Sequence, residues 1–274
     1  MTFLEKLAGA TRAHSSLLCV GLDVSLDSLP EGLPRTPAGV VEFNRAIVEA
    51  TADLVCAYKP NLAFYEALGP AGLEALLETR ELIPPEIPVI ADAKRGDVGH
   101  TASAYARALF DFYSFDAVTA SPYLGRDALE PFLERAERGV FVLCRTSNPG
   151  ARDLQDLVVG GEPLYRVVAR LVGEWNRHGN AGLVVGATYP REIAEVRAIA
   201  PTLPLLIPGV GAQAGDLAAA VRAGIDANGE LAIVNSSRQV LYASSGRDFA
   251  AAARAAAIVL KGEINRAREG SAGR

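Results

Sequence analysis

The stretch "ADAKRGDVGH" (91–100) carries Asp92, Lys94, Arg95 and Asp97 within six positions. The run before it, "IPVIA" (87–91), is apolar and β-branched, so it predicts a buried strand whose end bears the charges. Side chains alternate along a strand, which puts Asp92 and Lys94 on one face. Lys59 ends another apolar run, "LVCAYK" (54–59). Buried charges persist only when paired, and in an alternating set of Lys59, Asp92, Lys94 and Asp97 each charge offsets the next. Such a set has a chemical use. A substrate carboxylate about 4 Å from Asp92 meets a repulsion of about 4 kcal/mol at an effective dielectric of roughly 20. Loss of carbon dioxide relieves it. An ammonium such as Lys94 then stabilises the carbanion left behind and protonates it. Without chemistry, the same residues are a salt-bridged rim where strands reach water.

Eight short apolar runs recur: 17–23, 54–59, 88–94, 116–121, 140–145, 182–187, 204–210 and 231–235. They are near-continuously apolar, as parallel strands covered by helices are. Helical periodicity fills segments between them, at 37–52, 101–113, 161–179, 189–200 and 214–224, with a first helix at the N-terminus and a last at 249–267. Eight such repeats in one uninterrupted chain predict a single (β/α)8 TIM barrel over residues 1–274, with a frayed tail from about 268. Several strand ends are polar: Asp23, Lys59, Asp92 with Lys94, Gly209 and Gly211, and Arg238. Active sites of such barrels lie at the carboxyl ends of the strands, so these residues converge on one site.

Half of the 274 residues are apolar and 22% are charged, with a net charge of −5, which gives no basic face for nucleic acid. No apolar run approaches the length of a membrane span, and the N-terminus lacks a signal-peptide core. Cys19, Cys56 and Cys144 fall in separate apolar runs and are expected to be buried free thiols in a cytoplasmic protein. The phosphate-binding end is legible from residues alone. "PGVGAQ" (208–213) offers unshielded amides after the seventh strand and before a helix N-terminus, and Arg238 adds a guanidinium fork.

"DAKRGDVGHT" (92–101) resembles the D-x-K-x-x-D-[IV]-x-x-T signature of the orotidine 5′-monophosphate decarboxylases. The likeness to the longer bacterial branch continues through "KPNLAFYEALG" (59–69), "CRTSNPG" (144–150), "VVGATYP" (184–190), "IPGVGAQAGD" (207–216) and "VNSSR" (234–238). It implies that Asp92 stresses the substrate carboxylate, that Lys94 protonates C6 of the pyrimidine, and that Lys59 and Asp97 complete the catalytic network. It also implies that Asp23 binds a ribose hydroxyl, that Thr146 and Ser147 hold the pyrimidine, that Gly209, Gly211 and Arg238 bind phosphate, and that Gln213 bridges the phosphate and base ends. Asp97 and Thr101 would reach the partner's site in a homodimer, and no cofactor or metal would be needed. Two alternatives share parts of this pattern: a magnesium-dependent sugar-phosphate decarboxylase or aldolase of the same barrel superfamily, and a non-catalytic nucleotide-phosphate binder. His14, His100 and His178 lie on different elements without a second ligand at metal spacing, and Trp175 reads as packing. The loops 148–163 and 209–216 are candidate lids.

Overall fold

The computed structural model describes residues 1–209 and 216–270. Eight parallel strands follow the eight apolar runs: β1 (Leu18–Gly21), β2 (Ala57–Lys59), β3 (Ile90–Arg95), β4 (Ala117–Ala120), β5 (Gly139–Arg145), β6 (Ala181–Val185), β7 (Leu205–Pro208) and β8 (Ala232–Ser236). Hydrogen bonding runs β2-β1-β8-β7-β6-β5-β4-β3. Parallel bridges Tyr58–Val89 and Asn61–Asp92 bring β2 back to β3, so the sheet closes on itself. Helices cover the outside, among them Pro37–Thr51, Gly99–Ala106, Leu164–Trp175, Pro190–Ile199, Leu217–Gly224 and Phe249–Glu269. The TIM barrel predicted from sequence is the fold.

Some segments differ from expectation. Pro70–Leu82 forms a helix outside the predicted segments. The helix expected over 101–113 begins at Gly99 and widens into a π-helical turn over Arg107–Phe112. The one expected over 161–179 spans Leu164–Trp175, because Glu162 and Pro163 pair with Val158 and Val159 in a small antiparallel hairpin.

Period-two alternation sorts every strand into an outer and an inner face. Outward side chains such as Val20, Val118, Val142, Leu183, Ile207 and Val234 pack under the helices. Inward, Cys19, Ala57, Ile90, Ala117, Phe141, Val184, Leu206 and Ile233 form a separate apolar cluster inside the barrel. The first helix, α1 (Phe3–His14), seals its lower end by adding Phe3 and Leu7 to that cluster. Phe3 meets Phe141 edge to face, with ring centroids 5.6 Å apart. Two residues further along the same inward rows stand Gly21, Lys59, Asp92, Thr119, Leu143 and Asn235. The polar site is thus the layer directly above the apolar plug.

All three cysteines are free and buried. Among the described residues no helix is long and apolar enough to cross a membrane. Because α1 acts on the lower layer alone, Phe3→Ala is expected to lower the unfolding free energy by about 3 kcal/mol in denaturant titration while leaving the affinity of the upper cleft for nucleotide unchanged.

Candidate active site

Lys59 is 2% exposed at the end of β2. Its ammonium lies 3.0 Å from Asp92 Oδ2 and 3.8 Å from Asp23 Oδ1. Lys94 Nζ meets the other oxygen of Asp92 at 2.5 Å. The result is an alternating row Asp23–Lys59–Asp92–Lys94 drawn from three strand ends. Within one chain Asp97 stands apart from it: its carboxylate accepts the N–H of Val98 at 2.7 Å. Asp23 holds the place in the row that the sequence offered to Asp97. Thr101, in the first turn of the helix Gly99–Ala106, is also away from the row and half-buried.

Electrostatics keeps Lys59 and Asp92 ionised. Burial pushes the Asp92 carboxyl up, but the ammoniums of Lys59 and Lys94 outweigh it and hold the group well below the usual carboxylate range. Burial disfavours the Lys59 charge, and Asp23 and Asp92 outweigh that, raising its pKa above the usual lysine value. Beneath the row, burial drives the Cys19 thiol up to about 12, which keeps it neutral.

Asp23 is aimed by two residues that the sequence does not mark as part of a site. Ser237 Oγ donates to its Oδ2 at 2.8 Å, and Asn235 Nδ2 donates to Ser237 at 3.4 Å. A Cβ on Gly21 would stand 2.1 Å from Ser237 Oγ, so only glycine admits that approach. Asp23 Oδ1 is buried and has no hydrogen-bond partner among the described residues, which leaves it an acceptor for a hydroxyl from the cleft. Thr119 Oγ1 donates to Asp92 Oδ1 at 3.0 Å. Its signal was in the sequence: Thr119 lies two positions after inward Ala117, in the layer of Lys59 and Asp92.

Asp23, Lys59 and Asp92 of the row line a cleft of about 320 Å³. Gly209 and Arg238 also line it, the latter exposed at the start of a short helical turn, Arg238–Leu241. Tyr242 and Phe64 close its flanks. Gly211 and Gln213 lie outside the described residues. Ser147 sits beside this end, since a Cβ on Gly209 would stand 3.7 Å from its Oγ. Thr146 is fixed by Gln155, which accepts its N–H at 2.8 Å and donates to its Oγ1 at 2.9 Å. Arg145, 1% exposed, anchors the same loop through Asp156 and stacks 4.2 Å over the Tyr189 ring.

A closed parallel barrel with charged side chains gathered at the carboxyl ends of its strands has its candidate site where barrel enzymes carry theirs. The chain belongs to the orotidine 5′-phosphate decarboxylase / HUMPS family, whose sequence model matches residues 16–256. A relative from Thermomicrobium roseum named orotidine 5′-phosphate decarboxylase is 57% identical over 276 residues, spanning 100% of this chain and 98% of its own. One of the same name from Herpetosiphon aurantiacus is 58% identical over 254 residues, 92% of this chain and 94% of its own. The solved Leishmania donovani OMP decarboxylase superposes with a TM-score of 0.88 at 44% identity, covering 98% of this chain and 100% of that one. The Leishmania donovani UMP synthase gives 0.89 at 46% identity, over 98% of this chain and 57% of that longer one.

The row carries a pH signature. Asp92, depressed when folded, adds stability that is complete above its ordinary value of 3.8 and disappears as pH falls through the folded value. Lys59, raised when folded, adds stability that is complete below 10.5 and fades as pH rises through its folded value. Asp92→Asn strands a buried ammonium and should cost about 3 kcal/mol at neutral pH. In denaturant unfolding across pH, that penalty should shrink only below about pH 4, as the wild-type carboxyl protonates in the unfolded chain.

Proposed function

We propose that the protein decarboxylates orotidine 5′-monophosphate to uridine 5′-monophosphate and carbon dioxide, the last step of new pyrimidine nucleotide synthesis. The observation that carries this reading is that Asp23, Lys59 and Asp92 share one cleft with Gly209 and Arg238, with Lys94 paired to Asp92. The phosphate takes the Arg238 end, with amides of the Gly209 loop, and Gly211 and Gln213 are its further candidates. A ribose hydroxyl takes the free oxygen of Asp23. Thr146 and Ser147 hold the pyrimidine. The substrate carboxylate then lies against Asp92, whose two lysines keep it charged and so unable to relieve the repulsion by taking up a proton.

The bond from C6 to the carboxyl carbon breaks with both electrons left on C6, and neutral carbon dioxide departs. The Lys94 ammonium donates a proton to C6 and becomes an amine, which regains its proton from water. Binding energy from the phosphate end, remote from the reaction, holds the carboxylate against Asp92. Asp97 and Thr101, free of the row in one chain, are proposed to enter the site of a second copy in a homodimer. The magnesium-dependent alternative asks for clustered carboxylates. Here Lys59 stands between Asp23 and Asp92, and among the described residues no three His, Cys, Asp or Glu side chains meet in a metal-holding group.

Purified protein mixed with orotidine 5′-monophosphate and a chelator should lose the orotate absorbance, and Lys94→Ala should slow that loss by about 10³-fold, the scale of a positioned general acid. Uridine 5′-monophosphate binding without any turnover by the wild type would reduce the protein to a nucleotide binder.

A further inference from the structure

β3 and β4 lose register beside the row. Ala91 pairs with Val118 and Arg95 with Ala120, so four residue steps on β3 face two on β4. The residues between the two pairs are Asp92, Ala93 and Lys94 on β3, against one on β4. Lys94 sits at φ +49°, in the left-handed region that residues with a Cβ seldom adopt. A bulge of this kind turns side chains to new directions and strips amides of their ladder partners. Those amides need acceptors, since an unpaired buried N–H is costly.

The single β4 residue between the two flanking pairs is Thr119, 1% exposed. Its Oγ1 accepts the N–H of Ala93 and the N–H of Lys94, each at 3.0 Å, and donates to Asp92 Oδ1 at 3.0 Å. A hydroxyl has one proton and two lone pairs, so this one is saturated. Asp92 Oδ1 is the same oxygen that Lys94 Nζ meets. One hydroxyl therefore touches the strained backbone of the lysine, the amide before it, and the carboxylate oxygen to which the lysine points.

We infer that Thr119 is a positioning residue: its hydroxyl holds Lys94 in the left-handed bulge and ties Asp92 to it, which sets where the ammonium stands relative to the reacting carbon. This rests on the decarboxylase reading. Valine at 119 fills the same volume but neither accepts nor donates. Serine keeps the hydroxyl and loses the methyl. A role in packing alone favours valine over serine, and a role in positioning favours serine over valine.

The test compares wild type, Thr119→Val and Thr119→Ser by steady-state turnover of orotidine 5′-monophosphate and by calorimetric binding of uridine 5′-monophosphate. Thr119→Val should lose about 100-fold in kcat, the scale of an ångström's misplacement of a reacting group. Its affinity for uridine 5′-monophosphate should stay within about threefold, because the phosphate and ribose contacts lie elsewhere and a transition-state interaction is what has been removed. Thr119→Ser should keep kcat within about fivefold, having lost only the methyl that restricts χ1. If Thr119→Val does not fold, the serine variant decides: kcat near wild type upholds the inference, and a loss of about 100-fold overturns it. Wild-type kcat in Thr119→Val overturns the inference alone. A wild type that binds uridine 5′-monophosphate yet leaves the substrate intact overturns the decarboxylase reading and this inference with it.

Discussion

The Asp92 carboxylate, fixed between two ammonium groups, is the interaction on which the upper half of the barrel depends. Lys59 on one side and Lys94 on the other keep it ionised although it is largely buried. An isolated charge at that depth would take up a proton instead of staying ionised. Asp23 continues the row and is itself turned by Ser237. Lys59 and Asp92 each have two partners in the row, so removing either leaves an end member, Asp23 or Lys94, without its ion pair. The consequence for chemistry is a negative charge that a substrate carboxylate cannot neutralise, beside a proton donor.

The barrel supplies this arrangement through two ordinary properties and one exception. Alternation puts Lys59, Asp92, Thr119 and Asn235 on the inner face. Layering seats them directly above an apolar plug that α1 closes from below, so their lower side is dry and their upper side opens to the cleft. The exception is the bulge in β3. A regular strand would place Lys94 one pleat higher than Asp92, whereas the left-handed turn lets its ammonium come back to the same carboxylate.

How much of this was legible in sequence follows from where the determinants lie. The eight strands were readable because both faces of a parallel strand are buried, which leaves uninterrupted apolar runs. The row was half readable: Asp92, Lys94 and Lys59 announce themselves as charges at strand ends. Asp97 follows the turn after Arg95, and within one chain its carboxylate accepts the N–H of Val98 outside the row. Asp23 takes the fourth place in the row through a contact between chain segments more than thirty residues apart. The helix Pro70–Leu82 lay outside the predicted segments, although it follows Gly69 and opens on proline, a favoured first helical residue. The bulge was not legible at all. Nothing in "ADAKRGD" marks lysine for positive φ, and the bonds that hold it come from Thr119 on another strand. Ser237 was visible within "VNSSR" but its role was not, since its approach to Asp23 depends on the missing side chain of Gly21.

The most direct test of the account is the affinity of Asp92→Asn for two ligands that differ only in the carboxylate. Calorimetric titration with orotidine 5′-monophosphate and with uridine 5′-monophosphate separates the charge from every other contact. With the negative charge gone and two ammoniums left beside the site, the carboxylated nucleotide should bind more tightly than to wild type, without turnover, and uridine 5′-monophosphate should bind as before. Weaker binding of the carboxylated nucleotide with turnover retained would contradict the account, because the charge on Asp92 would then be neither opposing the substrate nor needed for its reaction.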